Sequence, residues 1–90
     1  MPYIKDEDRD PICNVIDYVI SPISRQEKKA GACNYAITLL LDGVFDTFEN
    51  PSYDKINTVM GILECVKQEY YRRIAIPYEE AKRRENGDVY

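Results

Sequence analysis

Apolar residues recur along this chain at intervals of three and four, and no useful length alternates with a period of two. Ile12, Val15, Ile16, Val19 and Ile20 fall at i, i+3, i+4, i+7 and i+8, the spacing that lines one face of a helix. This predicts a first helix beginning between Asp6 and Asp10, with Asp10 as its cap. Pro11 would sit in its first turn, where a missing N–H costs nothing. Residues 1–5 read as extended. Ser21-Pro22 predicts the helix end, because the residue before a proline avoids the helical region. Residues 21–31 then read as a polar connector. A second helix is predicted from Ala32 to Phe48, with Cys33, Ala36, Ile37, Leu40, Leu41, Val44, Phe45 and Phe48 as a wide apolar stripe. Gly43 within it costs about 1 kcal/mol against alanine, and a close helix crossing is the expected reason for it.

Glu49-Asn50-Pro51 breaks the pattern, and Ser52 suits the cap of a third helix. Tyr53, Ile56, Val59, Met60, Leu63, Val66, Tyr70 and Ile74 keep the three–four spacing through it. Pro77 lacks the N–H that would bond back to Arg73 and crowds that carbonyl, so a kink or restart is expected there. Tyr78 to Glu85 reads as a short charged helical piece, Asn86-Gly87 as its stop, and Asp88-Val89-Tyr90 as an extended tail. The pattern predicts an all-α fold in one domain over residues 1–90: a small bundle of three main helices with a Pro-kinked C-terminal extension and an extended tail.

Composition narrows the function. Ninety residues bury only roughly 60–65% of their unfolded surface, which leaves two routes to stability, very regular helix packing or a core shared with other copies. Apolar helix faces on more than one side favour the second, and a dimer or larger assembly is expected. The net charge of −4 argues against duplex nucleic acid as a partner. Acid gathers early (Asp6, Glu7, Asp8, Asp10) and base late (Arg72, Arg73, Lys82, Arg83, Arg84), so the two ends are expected to attract. No apolar run approaches a membrane span and the start lacks a signal-peptide core, so a cytoplasmic location is expected. Cys13, Cys33 and Cys65 read as reduced, buried small hydrophobes.

Chemistry is sparse. The chain has no histidine, which removes the commonest general base and metal ligand. There is no CxxC pair, phosphate-cradling glycine loop or nucleophile elbow. No catalytic residue, cofactor or metal is expected, and the chain is read as a non-enzyme. A carboxylate mechanism through Glu64 or Glu69 is the rival reading, although Glu69 with Arg73 is the spacing of an ordinary surface pair.

Two constellations suit binding. Tyr71, Arg72, Arg73 and Tyr78 combine rings that stack on a base with guanidinium forks that grip phosphate. Their bland reading is helix packing, with the arginines paired to the acidic first helix. Asn34, Tyr35 and Thr38 present an amide, a ring and a hydroxyl near the start of the second helix, from a facing helix or subunit. Their bland reading is service to the free N–H groups of that helix start. The tail, with Val89 and Tyr90 as apolar anchors, is expected to dock on a neighbouring subunit.

The opening Met1-Pro2-Tyr3-Ile4-Lys5, the block Asn34-Tyr35-Ala36-Ile37-Thr38, the run Leu63-Glu64-Cys65-Val66-Lys67, and the end Tyr71-Arg72-Arg73, Pro77-Tyr78-Glu79 and Glu85-Asn86-Gly87-Asp88-Val89-Tyr90 resemble an uncharacterised family of small phage, bacterial and environmental proteins, a domain of unknown function. Where that family usually has Gly-Glu-Leu-Asn, this chain has Gly31-Ala32-Cys33-Asn34, so no carboxylate role carries over there. The resemblance implies a phage or mobile-element origin and no particular activity. In size, helicity and Tyr/Arg content the chain is also similar to the phage helical oligomers that sequester cyclic nucleotide signals of bacterial immunity (the anti-CBASS and anti-Thoeris sponges), without sharing a motif with them. The combined expectation is a cytoplasmic homo-oligomer that binds an anionic, nucleotide-like small ligand as an anti-defence sponge. The alternative is a protein–protein module, a phage adaptor or inhibitor of a host protein.

Overall fold

A computed structural model describes residues 4–89. Residues 1–3 and Tyr90 lie outside the described residues, and with them part of the extended start and the tyrosine anchor of the tail. The fold is all-α. α1 is Asp6–Ser24, α2 is Lys29–Phe45, α3 is Tyr53–Tyr70 and α4 is Ile76–Asn86, with a π turn, Tyr71–Ala75, joining the last two. No strand occurs among the described residues. The chain divides into two units, one up to Pro51 and one from Ser52.

The first unit holds α1 and α2, which touch each other. α1 starts earlier than Asp10. Lys5 is extended, and Asp6, Glu7 and Asp8 fill the first turn, where carboxylates meet the free N–H groups and the positive end of the helix dipole. Pro11 therefore lies past the first turn, inside the helix. Pro22 is inside it too, so Ser21-Pro22 does not end α1 as the sequence led us to expect. A proline this near the end removes a single hydrogen bond, and the helix closes two residues later. The Arg25 guanidinium braces that end by donating to Ser21 Oγ at 2.7 Å. The connector shrinks accordingly, because Lys29 to Gly31 already belong to α2.

α2 stops short of Phe48. Asp46 takes the left-handed conformation at φ 54° and donates its N–H to the Asp42 carbonyl at 2.7 Å. The Asp42 carboxylate then accepts the Phe48 N–H at 2.8 Å and the Thr47 hydroxyl at 3.2 Å. Short acidic side chains compete in this way with the helical ladder and tolerate the left-handed region. Asn50 supports the turn by donating to Asp46 Oδ2 at 2.7 Å.

The second unit is one continuous helical rod from Tyr53 to Asn86. Ser52 is extended and its Oγ accepts the Lys55 N–H at 3.2 Å, the N-cap expected from its position. Gly87 ends the rod at φ +86°, and its N–H reaches the Arg83 carbonyl at 2.9 Å. Between them, Pro77 cannot return a bond to Arg73. The chain answers by widening the turn ahead of it, so that the Ile76 N–H donates to the Tyr71 carbonyl five residues back. That is the π arrangement.

None of the described residues is buried. The α1 stripe is formed but open, with Ile12, Val15, Ile16, Val19 and Ile20 all exposed. Cys13, Cys33 and Cys65 are free and exposed, against the expectation that they are buried. Neither unit by itself buries a side chain among the described residues. Within the first unit, α1 does not cross α2 closely at Gly43, where an added Cβ would meet nothing within 4 Å.

Candidate functional site

The second unit carries an open groove of about 530 Å³ at the π turn, lined by Lys67, Gln68, Tyr70, Tyr71, Ile74, Ala75 and Tyr78. Its walls follow from helical spacing. Lys67, Tyr70, Tyr71, Ile74 and Ala75 lie three or four residues apart, which stacks them on one side of a helix. Tyr78, seven residues after Tyr71 and four after Ile74, is set near this side by helical spacing, and the π turn swings it toward Tyr70. Such a turn holds one residue more than an α turn, so every later side chain is rotated back by about 100°. Straight α-helix would carry Tyr78 away from Tyr70; the wider turn brings it under that ring. The Lys82 ammonium lies 5.6 Å from the centre of the Tyr78 ring, a cation–π distance.

Of the residues singled out in the sequence, Tyr71 and Tyr78 line this groove and Arg72 and Arg73 do not. Both arginines reach back to Glu69: Arg72 Nη2 is 2.9 Å from Glu69 Oε2, and Arg73 Nε pairs with Glu69 Oε1. The acid that holds them is therefore a neighbour on their own helix. Two of the other late basic residues also have local acids. Arg83 pairs with Glu80 at 2.6 Å and with Asp88 at 3.5 Å, and Lys82 pairs with Glu85 at 3.3 Å.

Asn34, Tyr35 and Thr38 are in the first unit, all exposed on α2. The Thr38 hydroxyl donates to the Asn34 carbonyl at 2.8 Å, a bond within the helix that a threonine makes to the residue four back. The groove residues outside the binding set expected from sequence are Lys67, Gln68, Tyr70, Ile74 and Ala75. Lys67 sits one turn before Tyr71, a signal present in the sequence. Tyr78 comes into line with Tyr70, eight residues before it, only once the π turn is known.

No cluster of three or more metal-ligating side chains occurs among the described residues. No helix among them is long and apolar enough to cross a membrane. Three tyrosine rings beside one ammonium can stack a planar group and attract an anion.

No curated protein and no solved structure matches the chain. A family model does match, described as Domain of unknown function (DUF6899) and spanning residues 1–89. The chain, with its tyrosine groove and its π turn before Pro77, belongs to that family.

Proposed function

We propose that this protein is a non-enzymatic, homo-oligomeric binding protein that takes a small ligand made of a planar ring and an anionic group. The groove at the π turn carries this reading: Tyr70, Tyr71 and Tyr78 offer π faces, and Lys67 offers a positive charge, around a volume of about 530 Å³. That volume suits a small molecule. Stacking on one aromatic side chain is worth about 1–3 kcal/mol per base, and a lysine holds phosphate as a point charge. Nucleotides fit that chemistry. Sequestration of a nucleotide second messenger is the form of it that needs no turnover.

The test is a thermal-shift screen of the purified chain with cyclic dinucleotides, cyclic trinucleotides and ADP-ribose derivatives. A ligand in large excess over its Kd raises Tm through mass action. The reading expects a rise with at least one of them, lost on Tyr71→Ala and Tyr78→Ala. No rise with any of them, well above micromolar concentration, overturns it.

A second reading, a protein–protein module, is favoured by the open stripe of α1 and its acidic first turn. It expects one stoichiometric partner whose binding weakens on Ile16→Ala, together with no response to any nucleotide.

A further inference from the structure

Ile56, Leu63 and Tyr70 lie at seven-residue steps on the rod, and Met60 and Ile74 hold the intervening positions with Lys67 between them. This is the heptad repeat by which two helices stay in contact along a left-handed supercoil. The next position after Tyr70 in a strict repeat is Pro77, a residue that packs poorly in a seam. The chain places Tyr78 there instead, one residue late. The π turn at Tyr71–Ala75 absorbs one extra residue and so returns Tyr78 to the line of Ile56, Leu63 and Tyr70.

We infer that the face formed by Ile56, Met60, Leu63, Tyr70, Ile74 and Tyr78 is the seam on which a second copy of this chain docks, with the π turn as the device that keeps the seam in register past Pro77. The inference rests on the homo-oligomer reading above and names its surface. All six side chains are exposed, from 37% at Leu63 to 66% at Tyr70. At about 200 Å² for a large side chain, they leave roughly 650 Å² uncovered on each chain. A pair would bury roughly 1,300 Å² before the flanking residues are counted, which clears the size of a specific interface.

Length decides what fits. The seam runs for about 33 Å at 1.5 Å per residue. The stripe of α1 from Ile12 to Ile20 runs for about 12 Å, and the whole of α2 for about 25 Å. A second copy of the same rod matches the seam in both length and period. Lys67 is then a single polar side chain at a seam position, the kind of residue that selects one register at some cost in stability. The tyrosine groove lies on the same face, so the copies would meet across it and the ligand would be held between them.

Analytical ultracentrifugation of the full chain tests this. Leu63→Ala and Ile56→Ala should each raise the dissociation constant by about tenfold or more, while Thr58→Ala, on the far face, should change it by less than about twofold. Alanine is the best helix former, so these changes spare the helix itself, and far-UV circular dichroism checks that. Inserting one alanine after Ala75 should weaken association as much as Tyr78→Ala, because it turns Tyr78 by about 100°. An oligomer that tolerates all of these overturns the seam and leaves the homo-oligomer reading standing. A wild-type monomer at every concentration overturns both.

Discussion

Glu69 decides whether Arg72 and Arg73 can meet an anion. Both guanidinium groups rest on its carboxylate, and both arginine side chains are otherwise about three-fifths exposed (61% and 62%), whereas that of Glu69 is 22% exposed. Glu69→Gln removes the charge and frees two forks whose geometry suits phosphate. An exposed pair of this type holds its partners by a factor of about 1.4 to 5. Release of two should therefore tighten binding of a simple dianion by about fivefold. The comparison is Glu64→Gln, which makes the same change in net charge on the same helix. It releases only Lys67, whose ammonium is 3.8 Å from the Glu64 carboxylate. Pyrophosphate is titrated calorimetrically into both variants and the wild type at low ionic strength. Glu69→Gln, which releases one cation more, should bind about twofold more tightly than Glu64→Gln, and the gap should narrow as salt is added. Equal affinity of the two variants would refute the reasoning, since net charge alone would then explain any gain.

Two further predictions concern the ends of the rod. Ser52→Ala removes the acceptor of the Lys55 N–H and should cost about 1 kcal/mol in urea denaturation, while Ser52→Asp should keep the stability; an unchanged midpoint for Ser52→Ala would show that the cap contributes nothing. Gly87→Ala forces a side chain into φ +86° and should cost about 1 kcal/mol, read as faster amide exchange over the last turn of α4; unchanged exchange would show that the turn is not held by Gly87.

Much of the fold was legible because it depends on neighbours in the chain. The stripe Ile12–Ile20, the cap at Ser52 and the stop at Gly87 each follow from a spacing or a backbone preference a few residues wide. Where a weak preference met a stronger local partner, the sequence pattern misled. Pro22 is absorbed because α1 ends just beyond it. α2 ends early because the Asp42 carboxylate takes the Phe48 N–H and the Thr47 hydroxyl, a competition that helical periodicity does not register. The expected burial of the cysteines, and a close crossing at Gly43, assumed covering helices that neither unit supplies by itself.

The candidate site divides in the same way. Residue types alone marked Tyr71, Tyr78, Arg72 and Arg73 as binding groups. Only the three-dimensional structure separated the two tyrosines, which line the groove, from the two arginines, which lie on Glu69. The sequence determined that this is an all-helical chain with apolar faces in excess of what it can cover, because apolar spacing and helix-end chemistry are properties of short segments. The structure decided which side chains share a face beyond Tyr70. A turn whose hydrogen bonding reaches five residues back instead of four rotates everything after it by about 100°, and residue spacing alone does not reveal that rotation.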